Sequence, residues 1–242
     1  MTKLFSLSAI ALLTSLSTVA TAASLDVHGD IKINGKTVID AEGNVIQDQS
    51  HLINIDDYAN ATPNRVVMFS APVNEDGTVP TYKFFYDETG REYKEENFID
   101  NKLVWSIKWE ERTTTPLAHK RTVLSDWGGE DPIITTYKDE FTTSSSYPLA
   151  QVGINMTRAD IYKSTVISTN NPNIEINSVT NNLDYQKLTV VDKTSFKMGD
   201  TTLEDCIIVT MSASWSQEDQ FRTFCKDYGL VQFGDYKATS AE

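Results

Sequence analysis

Apolar and polar residues alternate with a period of two over much of this chain, the repeat of strands with one dry and one wet face. Leu25, Val27, Ile31 and Ile33 fall on one side of the first such run, and Asp26, His28, Asp30 and Lys32 on the other. Asn34-Gly35 follows, a pair suited to the two positive-φ positions of a tight hairpin turn. Thr37, Val38 and Ile39 resume the pattern, and Val45-Ile46 closes a small meander. Further on, Tyr82, Phe84 and Tyr86 alternate with Lys83, Phe85 and Asp87, and Glu88-Thr89-Gly90 supplies a hairpin loop with glycine in the left-handed position. Leu103, Trp105, Ile107 and Trp109 form a second stripe against Ser106, Lys108 and Glu110. Later strands are predicted at 161–168, 186–191, 206–213, 221–225 and 230–233, and few windows carry a helical period. The pattern predicts an all-β protein, an antiparallel sandwich or open (half) barrel with a small N-terminal β-meander.

Residues 1–22 read as a cleaved signal peptide. Lys3 is its basic start, residues 4–16 are mostly apolar and uncharged, and Ala20-Thr21-Ala22 offers small residues for cleavage. The apolar run is too short to span ~30 Å of hydrocarbon, and no later run is longer, so integral membrane insertion is not expected. No cysteine follows the run, so a lipid anchor is not expected either. Residues 23–46 are then the meander, 47–63 a polar linker with one short helical turn, and 64–242 the main β-rich domain, with a boundary between two sub-parts near 140–147. The destination is the periplasm or the cell exterior.

Charge narrows the partners. The chain carries 34 acidic and 21 basic residues, a net charge of −13, which disfavours nucleic acid and anionic membrane surfaces. The two cysteines, Cys206 and Cys225, read as one disulfide in an oxidising compartment. A turn centred near Trp215 and Ser216 would set them opposite each other on an antiparallel pair.

Tyr147-Pro148-Leu149-Ala150-Gln151-Val152-Gly153, the Cys206 strand and Gly229-Leu230-Val231 together resemble a β domain of bacterial secreted proteins and lipoproteins. In that group a Tyr-Pro-Leu-x-x-Gly opening leads to a strand, a hairpin and a Gly-Leu-Val return strand. The resemblance covers about the last hundred residues. It implies an envelope location and a β-rich fold, and it carries no activity. The N-terminal meander is similar to small β modules of surface proteins and phage fibres that assemble into trimers, so further copies of this chain are a candidate partner.

Catalytic motifs are sparse. His28, His51 and His119 are scattered, without a His-Glu-x-x-His arrangement, and no Gly-x-Ser-x-Gly elbow occurs. Glu95-Glu96 and Glu110-Glu111 are neighbours on strands, point to opposite faces and read as surface charge. Asp126, Glu130 and Asp131 share a glycine-rich loop whose carboxylates suit calcium; no other cofactor is expected. Tyr82, Phe84, Tyr86, Trp105 and Trp109 either fill a sandwich core, the preferred reading, or line a cavity for an apolar ligand. Trp127, alone in a polar loop, is a candidate contact for a sugar or a surface partner. The function expected is that of a non-enzymatic exported protein with a binding or surface-structural role. The alternatives are a carrier of a lipid or other apolar ligand in a half-barrel cavity, and a hydrolase whose site the fold assembles.

Overall fold

A computed structural model describes residues 29–33, 36–39, 41–42, 52–126, 131–144, 149–214 and 216–242. The expected signal peptide, Asn34-Gly35, His28, His51, Trp127, Glu130, Tyr147-Pro148 and Trp215 lie outside the described residues. The chain divides into two units, Met1–Ser50 and His51–Glu242. In the first, β1 (Ile31–Ile33) pairs antiparallel with β2 (Lys36–Ile39), joining Ile33 to Lys36 and Ile31 to Ile39; Val45-Ile46, expected to close the meander, lies outside the described residues.

The second unit begins with β3 (Ile53–Asn54) and a one-turn helix, α1 (Asp56–Ala59). Then come β4 (Val66–Ser70), β5 (Pro80–Tyr86), β6 (Glu92–Ile99), β7 (Lys102–Thr114), β8 (Leu117–Ser125) and β9 (Ile133–Ser144). They are followed by β10 (Leu149–Ala150), β11 (Asn155–Thr169), β12 (Val179–Met198), β13 (Thr201–Ala213), β14 (Ser216–Cys225), β15 (Gly229–Phe233) and β16 (Tyr236–Ala241). All but β3 and β10 join one antiparallel wall, and β16 returns to pair with β4, setting Ala238 beside Phe69 and Ala241 beside Val67. The result is a closed barrel of 12 strands, where the sequence pattern predicts a sandwich or an open half barrel. Local alternation reports that a strand has two faces. It does not report that the last strand meets the first, a contact between residues some 170 positions apart in sequence, such as Thr239 Oγ1 and the Met68 carbonyl.

Charge contacts across the barrel identify its inner face. Glu92 and Glu95 on β6 interact with Arg222 on β14, although β15, β16, β4 and β5 intervene along the wall. Antiparallel partners share a face, so the register carries this assignment around the wall. Tyr82 faces Asn97 and then Trp105; Phe84 faces Glu95 and then Ile107; Trp109 faces Arg121 and then Tyr137; His119 faces Asp139 and then Ser164. The other face carries Lys94 and Lys108, Glu110, Lys120 and Lys138, and Glu140 and Lys163. Ion pairs run along it: Lys94 with Glu96, Lys108 with Glu110 at 2.5 Å, and Lys138 with Glu140 at 2.8 Å.

One part of the barrel is filled. Val67, Phe69, Phe84 and Tyr86 pack in one cluster with Phe196, Met198, Leu203, Leu230, Val231 and the two cysteines. Gly229 allows this closeness, because a Cβ there would lie 2.5 Å from the Tyr86 hydroxyl, which instead accepts the Leu230 N–H. A second cluster sets Ile53, Ile55, Tyr58 and Ala150 against Leu188, Val190, Ile207, Val209 and Met211. Residues 52–63, expected as a linker, therefore contribute buried apolar side chains. The expected helical turn is α1, anchored by Tyr58 Oη donating to Asp205 Oδ1 at 2.7 Å. The boundary expected near 140–147 does not divide the wall, since β9 and β11 on either side of it pair directly.

Cys206 and Cys225 form the disulfide, paired directly between β13 and β14 with a sequence separation of 19. Closing a loop of this size stabilises by about 3 kcal/mol in the chain-entropy account. Replacing both cysteines by serine is therefore expected to cost about 3 kcal/mol, read as a lower urea midpoint at unchanged slope. A reductant should bring the unaltered chain to the same midpoint.

Candidate ligand-binding lumen

Beyond these clusters, part of the inner face meets water. Every residue of β8 keeps partial exposure, inward and outward positions alike. An inward residue that still meets water means that the wall surrounds accessible space rather than a packed core. Weak contrast between the faces also explains why the sequence pattern falls short here: the inward positions of β8, β9 and the first half of β12 include His119, Arg121, Asp139, Thr180, Asn182 and Asp184, while Val179, Leu183 and Tyr185 on the other side of β12 are exposed.

Asp139 is the polar centre of this lumen. It is 1% exposed and accepts hydrogen bonds from three side chains on two strands, β8 and β11. His119 Nε2 lies 3.0 Å from Oδ2, Arg121 Nε donates to the same oxygen at 2.7 Å, and Ser164 Oγ donates to Oδ1 at 2.5 Å. Burial works against the ionised carboxylate, but these hydrogen bonds and the Arg121 charge outweigh it and hold the Asp139 carboxyl down at about 2. Around this hub, Arg121 stacks on Tyr137 at 4.4 Å, the His119 and Phe141 rings lie 5.1 Å apart, and Phe141 stacks on Tyr162. Tyr162 Oη donates to Asp184 Oδ2 at 2.6 Å, and Asn182 Nδ2 donates to Ser164 Oγ at 3.0 Å.

The connectivity decides what this cluster can do. A serine nucleophile needs its hydroxyl on the imidazole and the imidazole on the carboxylate. Here Asp139 stands between Ser164 and His119, so the imidazole does not take the serine proton. The cluster works as a rigid polar wall that presents Arg121, His119 and Tyr162.

A carboxylate pair lies on the neighbouring wall. Between β5 and β6, Phe85 faces Lys94 while Tyr86 faces Glu92, so Tyr93 is an extra, bulged residue. The bulge turns Glu92 to the face of Glu95. Burial and the charge and hydrogen bond of Glu95 push the Glu92 carboxyl well up, against the pull of Arg222 and Arg112. Burial also raises Glu95, opposed by its hydrogen bond with Glu92 and by Arg222. Two carboxyl groups so close share a proton. Arg112 completes the corner, donating from Nη2 to the Glu92 carbonyl oxygen at 2.6 Å.

The sequence-predicted residues are distributed unevenly. Tyr82, Phe84, Tyr86, Trp105 and Trp109 do share the inner face, but only Phe84 and Tyr86 are fully buried; Tyr82, Trp105 and Trp109 border the lumen. Of the loop carboxylates, Asp126 pairs with Lys102 at 2.9 Å and Asp131 is exposed. Among the described residues no group of three His, Cys, Asp or Glu side chains converges as metal ligands would. Glu96 is on the outer face as expected, whereas Glu95, read as surface charge, points into the barrel. Asp139, Arg121, Ser164 and Glu92 were not singled out in the sequence. A spacing of three marks opposite faces in a regular strand, so Glu92 and Glu95 meet only because of the bulge.

Comparison of the chain with protein-family models, with curated proteins and with solved structures finds no match. The resemblance of the C-terminal hundred residues therefore adds no residue role to the geometry.

Two pH effects follow, with opposite signs. Asp139 has a folded value near 2 against an ordinary 3.8, so its contribution is complete above pH 3.8 and lost as pH falls toward 2. Asp139→Asn should cost on the order of 2 kcal/mol at neutral pH and remove that acid limb from a stability–pH profile. Glu92 has a raised folded value, so its contribution is present below pH 4.5 and fades as pH rises above it. Glu92→Gln should accordingly gain in Tm over the unaltered chain as pH increases from 4.5. A gain that stays constant with pH would remove the shared proton from this account.

Proposed function

We propose that this chain is an exported, non-enzymatic binding protein whose barrel lumen takes a small ligand with a flat apolar body and polar substituents. The observation that carries the reading is the partial exposure of the inward residues of β8 and of Trp105, Ile107, Trp109, Tyr137 and Phe141 on the strands beside it, which leaves water-accessible space inside the wall. The wall around that space combines aromatic faces (Tyr82, Trp105, Trp109, Tyr137, Phe141, Tyr162) with a few fixed polar groups, the composition of small-molecule sites. Its charges modify the apolar-carrier reading. Asp139, Arg121, His119 and the Glu92–Glu95 pair would desolvate at a cost against a bare hydrocarbon chain, so the ligand carries polar groups of its own.

The outer face supports a barrel surrounded by water. A membrane-spanning barrel needs an apolar outer band about 25 Å tall, and Lys94, Lys108, Lys120, Lys138 and Lys163 stand mid-strand on five successive strands of this wall. The Cys206–Cys225 disulfide is compatible with an oxidising compartment beyond the inner membrane. Against a hydrolase stands the order Ser164–Asp139–His119, in which the carboxylate occupies the place of the base.

Native mass spectrometry of the chain purified from the periplasm tests this reading. The expected result is added mass that is lost on denaturation, together with a change in tryptophan fluorescence on ligand release that Trp105→Phe and Trp109→Phe diminish. A clean unliganded mass, with no fluorescence response to amphipathic aromatic probes, would overturn it.

A further inference from the structure

We infer that Tyr82 and Asn97 form a polar seat for a hydroxyl or amide group of the ligand, an assignment that rests on the lumen being a binding site. Asn97 lies on the inner face between two aromatic neighbours in register, Tyr82 on β5 and Trp105 on β7. It is 6% exposed. Its Nδ2 donates to the Tyr82 hydroxyl at 2.9 Å, while its Oδ1 is buried without a hydrogen-bond partner in the protein. A buried acceptor left in that state costs about 1–3 kcal/mol, and folded proteins rarely retain one without a reason.

The Tyr82 hydroxyl is incomplete in the complementary sense. It accepts from Asn97, and among the described residues no acceptor takes its own hydrogen. Burial, with Tyr236 and Glu95 nearby, raises this phenol to about 12, so it stays a donor across the physiological range. One free donor and one free acceptor thus stand side by side. Turning the Asn97 amide over leaves the same complement, a free N–H beside a phenol lone pair. A hydroxyl, or a carboxamide edge, both donates and accepts and so satisfies the two together.

The surroundings hold this pair in place and extend it. The Tyr82 ring is wedged edge-on against Phe233 at 5.3 Å and Tyr236 at 4.9 Å, so it does not swing to find another partner. Trp105 on the other side of Asn97 offers a flat apolar surface for the ring that bears the hydroxyl. The ligand class indicated is therefore a planar or ring-shaped molecule with a hydroxyl or amide at its edge. An aliphatic chain fits less well, because it would leave the buried Asn97 Oδ1 with no donor.

The test compares 2-naphthol with naphthalene, two probes of one shape that differ by a hydroxyl, by fluorescence titration of the purified chain. The expected result is that 2-naphthol binds ~10-fold more tightly, the worth of one buried hydrogen-bonding group. Tyr82→Phe and Asn97→Leu should each bring the two probes within about twofold by weakening 2-naphthol alone. Asn97→Leu should also leave Tm unchanged or raised, since it removes an unsatisfied polar atom. Equal affinity of both probes for the unaltered chain would overturn the seat while leaving the lumen as a binding site; Asn97 would then be satisfied by water. Discrimination that survives Tyr82→Phe, with a fall in Tm for Asn97→Leu, would make the pair purely structural and also overturn the seat. Binding of neither probe would remove the lumen reading and the seat with it.

Discussion

The pairing of β16 with β4 is the contact on which the rest of this structure depends. An antiparallel sheet left open would expose the edges of β4 and β16 as unpaired backbone donors and acceptors. Joined, they leave the wall without an edge and enclose a space. Closure also brings β6 within reach of β14, which is why Glu92, Glu95 and Arg222 interact at all. The Cys206–Cys225 bridge fixes the β13–β14 register in the same wall, where a slip of one residue would exchange inner and outer faces.

The barrel is asymmetric in how its inside is used. Where Val67, Phe69, Phe84 and Tyr86 meet Leu203 and Leu230, apolar side chains fill it and supply the hydrophobic stabilisation. Toward β7–β12 aromatic and charged side chains join aliphatic ones such as Ile107 and Val123 on the inner face. Charges there are tolerated because each is matched: Asp139 by Arg121, His119 and Ser164, Asp184 by Tyr162 and Ser214. Glu92 and Glu95 are matched partly by each other, through a shared proton. The filled part holds the fold, and the open part is the proposed binding lumen. Asn97, with one end unpaired, is the point at which folding and the proposed binding would ask for different side chains.

Legibility followed how wet each strand is. Tyr82–Tyr86 and Trp105–Trp109 alternate visibly because one face is water and the other a packed or aromatic interior, and both stripes do lie on the inner face. Cys206 and Cys225 were readable from their number and spacing. Gln186–Val191 was only the apolar centre of β12, which runs from Val179 to Met198. Before it, Val179, Leu183 and Tyr185 are exposed apolar residues alternating with polar Thr180, Asn182 and Asp184, and after it Phe196 and Met198 are buried past register shifts that break the alternation. Periodicity is a contrast between a dry and a wet face, and exposed apolar residues and register shifts leave no single period to read. Residues 52–63 were missed in the same way: Ile53, Ile55 and Tyr58 are too few and too close to acidic residues to signal burial.

By itself the sequence determined the all-β class, the disulfide, the turn at Gly90, and the shared face of the aromatic stripe, because each rests on neighbours in the chain. Tertiary structure alone decided that the sheet closes, which charges turn inward, and that a bulge at Tyr93 sets Glu92 beside Glu95. Those depend on partners far apart in sequence, whose meeting is governed by the register of the whole wall and leaves no local trace.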